Sequence, residues 1–436
     1  MSQDLEQRYR EATPESRRRF EAARAATAGA VKGAYFHAPW PLSMKRGEGC
    51  HLVDVDGNRY VDFNNHHTAQ ILGHGNAAVS AAVQEQLERG VVLGGQAGAE
   101  VELAAEMCRR VASVERIRFT NSGTEATLHA VRLLRGVSGR PRVAKFEGGY
   151  HGSHDAVEIS VAPPLDKAGP ASAPVAVAGT GGISPGALAE ALILPYDDET
   201  AVEDLLKAHR HEVGCVLLDP KFGILPQRPE FVRFVREITR DLEMLLMFDE
   251  IVGFRMGPGG LQAHYGIDPD VTTFGKMVGG GFPVGAFGGR ADLMDRFDNT
   301  GPPTGFSQSG TFSAHPVTAA AGLATLRQLT PEAFDHLNGL GERLGAGLRE
   351  VFERRGAAVE LVVTGSVFSF HFLEPPLRTW RDMARGDRGR GSRVFLSVLL
   401  QGCLLSHSMG MNALSVPMEA GHADGLVEAV DRALDA

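Results

Sequence analysis

Leu245-Leu-Met-Phe-Asp249-Glu250 and Val271-Thr-Thr-Phe-Gly-Lys276-Met-Val-Gly-Gly-Gly-Phe-Pro283 decide how this chain is read. Each opens as a short apolar and β-branched run, the length of a buried strand, and closes on a side chain that ionises. Asp249 and Lys276 are separated by 276 − 249 = 27 residues, the length of one crossover between parallel strands. That spacing brings a carboxylate and an amine to one sheet edge, where open α/β sheets bind ligands. A structural Asp–Lys ion pair is the alternative, but it does not need the glycine-rich turn that follows Lys276.

Outward from this pair, strands alternate with amphipathic helices, the pattern of a mostly parallel sheet covered by helices. Arg116–Thr120, Arg142–Phe146, Gly214–Asp219, Met244–Phe248, Val271–Phe274 and Val284–Gly288 read as strands, and Glu125–Arg135, Pro229–Leu242 and Val317–Leu329 as helices. An N-terminal helix leads into an arm with Pro39 and Pro41, and Val53–Asp56 and Arg59–Phe63 form a hairpin across Gly57-Asn58. From Pro331 onward a helix, two strands, a helix, a strand and a last helix make a smaller α+β cap. The expected division is residues 1–64 with the small domain, 65–328 as the large domain and 329–436 as the rest of the small domain. Val161–Gly186, rich in Pro, Ala and Gly, reads as a mobile loop.

Composition narrows the function. The net charge is −9 and no basic stripe interleaves with aromatics, so nucleic acid is not an expected partner. Apolar runs such as Ser397–Leu400 fall far short of a membrane span, and the first twenty residues alternate charges without an apolar stretch; a cytoplasmic protein is expected. Cys50, Cys108, Cys215 and Cys403 lie far apart in sequence and read as core thiols, with neither disulfides nor a metal site expected. Glycine, at 53 of 436 residues, is about 12% against a usual ~7%, an excess that serves turns and ligand-facing backbone.

Phe119-Thr-Asn-Ser-Gly-Thr-Glu-Ala126 crosses from a strand into a helix. Ser122, Gly123 and Thr124 there offer hydroxyls and unhindered N–H groups at a helix N-terminus, where a phosphate is favoured; a plain N-cap is the other reading. Taken with Asp249 and Lys276, the set suits pyridoxal 5′-phosphate: the lysine holds the aldehyde as a Schiff base, and the carboxylate keeps the pyridine nitrogen protonated.

At these residues the chain resembles the class III aminotransferases of the fold-type I pyridoxal phosphate enzymes, and within them the glutamate-1-semialdehyde aminomutase-like and β-phenylalanine aminotransferase-like group. The resemblance runs from about Gly47 to the C-terminus and is carried by Val53–Tyr60, Phe119–Ala126, Lys145-Phe-Glu-Gly-Gly-Tyr-His-Gly152, Met247–Glu250 and Asp270–Arg290. It implies an α/β fold with a large, mostly parallel sheet domain and a smaller α+β domain from the termini. It makes Lys276 the Schiff-base and proton-transfer lysine and Asp249 the partner of the pyridine nitrogen. Ser122, Gly123 and Thr124 would hold the phosphate, with Tyr150 and His151 also at the cofactor, Tyr150 stacked on its ring and Ile251 on the other face. Gly310-Thr311 would reach the phosphate of a neighbouring subunit, implying an obligate homodimer with shared sites.

Several segments depart from the family. Asp219–Pro226 is shortened where a residue contacts the cofactor phenolate oxygen; Lys221 is either a substitute or, as expected here, a solvated surface lysine. The loop Asp249–Arg255 is also shortened. Ser406-His-Ser-Met-Gly410 stands where the aminomutases carry a glutamate, and Glu419 reads as a helix-start acid. Lys32 falls where the β-phenylalanine enzymes use an arginine for a substrate carboxylate, and a point charge without the bidentate fork holds an anion more loosely. Met409 matches their second arginine, and His67 falls near the substrate. The implied activity is an aminotransferase acting on a small amino acid or amine and a carbonyl acceptor; an aminomutase or racemase, and a catalytically silent assembly subunit, are the alternatives.

Overall fold

The computed structural model describes residues 2–29, 31, 35–221 and 225–435. The chain divides into two compact units. One comprises Met1–Ala77, Glu332–Leu377 and Arg385–Ala436; the other comprises Ala78–Pro331 and Arg378–Ala384.

The larger unit is built on seven strands: β1 (Arg116–Thr120), β2 (Arg142–Phe146), β3 (Ala191–Leu194), β4 (Val213–Leu218), β5 (Leu245–Asp249), β6 (Val271–Gly275) and β7 (Gly285–Gly289). They lie in the order β1-β7-β6-β5-β4-β2-β3. β7 is antiparallel to both neighbours, whereas the pairs from β6 to β3 are parallel. Every residue of β4 and β6 is buried, the signature of a sheet covered on both faces. The unmarked strand was β3, whose four apolar residues are too few to separate from a helix by periodicity.

Helix α1 (Gly123–Ser138) follows β1 and buries Ala126, Ala130, Val131, Leu133 and Leu134. Ala130, Val131, Leu133 and Leu134 pack with Val143, Leu217, Met247, Val271 and Phe287 from five strands into one core, each large side chain contributing about 1.5–3 kcal/mol. Ser122 caps its start by accepting from Glu125 N at 3.1 Å, and Gly139, at φ 66°, ends it in the left-handed region. Helix α2 (Pro229–Asp241) buries Phe231, Val232, Val235 and Ile238 along one stripe and returns the chain from β4 to β5.

The Val161–Gly186 stretch is held at several points, which corrects its reading as a loop with little to anchor it. Ser160 Oγ donates to Val175 O and accepts from Val177 N, both at 3.0 Å. Arg381 donates to the carbonyls of Ala168, Gly169 and Pro170 and forms a two-pronged ion pair with Glu147 at 2.8 and 2.9 Å. With Trp380, whose indole lies against Gly148, this guanidinium ties Arg378–Ala384 to the larger unit, although its flanks belong to the smaller one.

In the smaller unit Met44–Glu48, His51–Asp54 and Arg59–Asp62 are joined by Cys403–Leu404 in one sheet, and Glu360–Thr364, Val367–His371 and Asn412–Ala413 form a second. Asp54 locks the hairpin by accepting from Asp56 N, Asn58 N and Tyr60 Oη at 2.8–3.0 Å. The unit extends to Ala77 rather than residue 64 because Asp62 accepts from Asn64 N and Asn65 N, and Ile71 O accepts from Val416 N at 2.8 Å. No helix among the described residues is long and apolar enough to cross a membrane.

Candidate active site

The C-terminal ends of the parallel strands bring the chemistry-bearing residues to one edge of the large sheet. Asp249 ends β5 opposite Thr273, three residues before Lys276 on β6. Lys276 leaves β6 at φ 52°, in the left-handed region. A non-glycine residue held there stores of order 1–3 kcal/mol of strain, a feature that clusters at functional positions. Burial lowers the Lys276 amine from 10.5 to about 8; Asp249 and Asp219 oppose the shift, and Lys221 and Arg255 add to it.

Asp249 is 6% exposed. One carboxylate oxygen is 2.8 Å from His151 Nδ1, and the other accepts from Ile251 N at 3.1 Å. The carboxylate is thus fixed in orientation while retaining lone pairs for a further donor. His151 is buried, and its own carbonyl accepts from Thr127 Oγ1 on α1 at 2.7 Å. Its place is therefore behind Asp249. Tyr150, next in the chain, has a 60% exposed side chain, unusual for a large aromatic. Beneath this loop Lys145 is fully buried, donating to Gly149 O at 2.8 Å and to Ile159 O; burial lowers its amine to about 7.

At the start of α1, Gly123 N–H and Thr124 N–H belong to the first turn, which a helix leaves without internal partners. Ser122 Oγ already accepts from Glu125 N, so its proton is available to donate. Glycine is required at 285, where a Cβ would lie 1.9 Å from the backbone oxygen of Ser122, and a Cβ on Gly123 would lie 2.5 Å from Ile251 Cδ1. Ile251 also lies against Gly275, which puts its side chain between the α1 turn and the strand bearing Lys276. A phosphate cradle, a fixed carboxylate, a depressed amine, an open aromatic face and an apolar side chain fit pyridoxal 5′-phosphate part for part.

The remaining expected residues divide. Gly310 and Thr311 are exposed; the segment is tied to the end of β1 where Gln308 Nε2 donates to Phe119 O at 3.1 Å. His67 lies in the smaller unit, inside a run Asn65–Thr68 whose four residues all have φ between 49° and 74°. Lys32 lies outside the described residues. Lys221 is a correction: it is 2% exposed rather than solvated, with Nζ 3.3 Å from Asp219 Oδ2. Arg255, also 2% exposed, and Glu250, fully buried, are further ionisable groups to which the sequence assigned no role. Glu250 accepts from Leu261 N and Gln262 N at 2.9 and 2.7 Å, and burial raises its carboxyl to about 7.

Residues 34–417 match the family described as Aminotransferase class-III. A glutamate-1-semialdehyde 2,1-aminomutase from Methanocaldococcus jannaschii is 35% identical over 90% of this chain and 91% of its own length. Among solved structures, an omega-transaminase from Sphaerobacter thermophilus superposes with a TM-score of 0.91 at 38% identity, covering 96% of this chain and 97% of that one. A β-phenylalanine aminotransferase from Variovorax paradoxus gives 0.88 at 35% identity, covering 98% and 95%. Family, fold-type I architecture and the strand-edge site agree on the cofactor, and the chain belongs to the class-III aminotransferase family of pyridoxal phosphate enzymes.

Proposed function

We propose that the chain is an aminotransferase that moves an amino group between a small amino acid or amine and a carbonyl acceptor. The observation that carries the transfer reading is Leu405–Asn412, which has no carboxylate where the resemblance requires one for an aminomutase; the full-length likeness to an omega-transaminase supports it. The names of relatives such as the Methanocaldococcus jannaschii protein favour a second reading, an aminomutase that returns nitrogen to the same molecule.

When bound, pyridoxal phosphate supplies an aldehyde carbon and a protonated ring that withdraws electron density from the reacting carbon. In the proposed site the Gly123 and Thr124 N–H groups and the Ser122 hydroxyl donate to the phosphate, at the positive end of α1. Tyr150 would cover one face of the ring and Ile251 the other, keeping water from it. Asp249 would accept the pyridine N–H, with His151 holding that carboxylate in orientation. Lys276 would hold the cofactor aldehyde through Nζ and, once displaced by the substrate amine, would be the base that moves the proton from the substrate α-carbon to the cofactor carbon that bore the aldehyde oxygen. Its depressed amine supports this role, because a neutral nitrogen is both nucleophile and base.

The homodimer belongs to the same reading. Leu87, Val91, Val92, Leu93 and Val101 are 44–53% exposed within one stretch of the larger unit, and exposed apolar side chains grouped this way mark a protein interface. In that dimer Gly310-Thr311 would approach the partner's phosphate. Lys32 and His67 remain proposed substrate contacts on the resemblance alone. The deciding experiment supplies a ¹⁵N-labelled donor with an unlabelled carbonyl acceptor: label in the acceptor establishes transfer, and label confined to the donor skeleton establishes the mutase.

A further inference from the structure

Cys50 reads from the sequence as a core thiol, but the smaller unit brings it together with His51 and His422. Cys50 Sγ is 3.3 Å from His422 Nε2 and 3.5 Å from His51 Nδ1, and the three ligand atoms lie within 4.8 Å of one another. A tetrahedral zinc ion with a Zn–S bond of about 2.3 Å and a Zn–N bond of about 2.05 Å has S···N edges of about 3.6 Å. The two measured edges lie within about 0.3 Å of that value. Cys50 is 4% exposed, while both histidines are partly exposed. The sulfur therefore forms the floor of the cluster and the imidazoles its solvent-side wall.

We propose that Cys50, His51 and His422 form a binding site for a borderline divalent cation of the zinc class, with water as the fourth ligand. One thiolate and two imidazoles are the donor set such ions take, while hard oxygen-seeking ions do not. The site ties the first residue of the His51–Asp54 strand to the start of the C-terminal helix Ala420–Ala433, ligands 422 − 50 = 372 positions apart. It lies in the smaller unit, while Lys276 and Asp249 lie in the larger, so its role is to hold the terminal elements together.

The proton inventory closes. Without metal, Glu419 N–H donates to His422 Nδ1 at 3.0 Å, so Nε2 carries the ring proton and donates to the sulfur; the thiol proton in turn points to His51 Nδ1. On metal binding the thiol proton leaves to solvent, and the His422 proton moves from Nε2 to Nδ1, which frees Nε2 as a ligand. That shift leaves two N–H donors, Glu419 N and His422 Nδ1, facing each other at the exposed helix start, so the imidazole must turn away from the backbone and each N–H then donates to water. Metal binding thus releases one proton per chain and leaves no buried group unsatisfied.

Cobalt(II) is the probe. Titrated into chelator-treated holoenzyme, it is expected to bind at one ion per chain with intense visible d–d bands of tetrahedral coordination, and zinc is expected to bleach them. Cys50→Ser and His51→Ala should abolish the bands, and Cys108→Ser should retain them. His422→Gln separates ligand from cap, since glutamine at this position preserves the helix-start bond but offers no ligand nitrogen; it too should lose the bands. Absence of the bands in the wild type, or their survival in folded Cys50→Ser or His422→Gln protein, overturns the proposal.

Discussion

Replacing Lys221 with methionine removes a cation that acts on the Lys276 amine, and the consequence can be followed through pH. With its amine at about 8, Lys276 is neutral in about one chain in eleven at pH 7; at 10.5 the fraction would be about one in three thousand, roughly 300-fold less. Burial is the main cause, Lys221 and Arg255 add to it, and Asp249 and Asp219 oppose it. Lys221→Met therefore raises the Lys276 value, and each unit of rise removes about tenfold of the reactive amine at pH 7. Lys221→Arg retains the charge and should retain the profile. The assay is the rate at which cofactor-free protein captures pyridoxal phosphate, followed by the visible absorbance of the lysine-bound cofactor between pH 6 and 11. The wild-type rate should level off above about pH 8, with the Lys221→Met inflection displaced upward. Stability of the cofactor-free chain follows with a definite sign: between about 8 and 10.5 the unfolded lysine holds a proton that the folded one has lost, so stability rises with pH, by at most about 1.4 kcal/mol per unit. A wild-type inflection near 10.5, or identical profiles for wild type and Lys221→Met, refutes the reasoning.

Asp249→Asn should lower turnover by about 10²–10³-fold while cofactor capture by Lys276 persists, measured by borohydride trapping; unchanged turnover would remove Asp249 from its role. Gly285→Ala drives a methyl group toward Ser122 O, 1.9 Å away, and should weaken pyridoxal phosphate binding by about 10–100-fold, read by equilibrium dialysis; wild-type affinity would show that the α1 turn does not hold the phosphate. Arg381→Met strands the buried Glu147 carboxylate and should destabilise the larger unit by about 3 kcal/mol, with faster tryptic cleavage after Lys167. An unaltered cleavage rate would mean that the Ala168–Pro170 carbonyls have other support.

Much of the larger unit was legible because its signals are local. Val271–Gly275 and Leu245–Asp249 are continuous apolar runs bounded by turn chemistry, and Phe119–Ala126 carries its own N-cap. Strand β3 was missed because Ala-Leu-Ile-Leu, only four residues long, follows directly on a helix ending at Ala189. Lys221 was misjudged for a related reason. A lysine three residues past a strand resembles any surface lysine, whereas the structure buries it beside the Asp219 carboxylate.

The sequence by itself determined the order of the elements, the strand ends on which Asp249 and Lys276 sit, the helix start proposed to receive phosphate and the glycines that allow close backbone approach. Each rests on periodicity, capping or φ preference, which neighbouring residues set. Only the tertiary structure decided that His151 supports Asp249, that Arg381 reaches back to Glu147 and the Ala168–Pro170 carbonyls, and that His422 closes on Cys50. Those partners are 98, 234 and 372 positions apart. Nothing in the local pattern encodes such meetings, because the burial that selects a polar side chain's partner exists only once distant elements have packed.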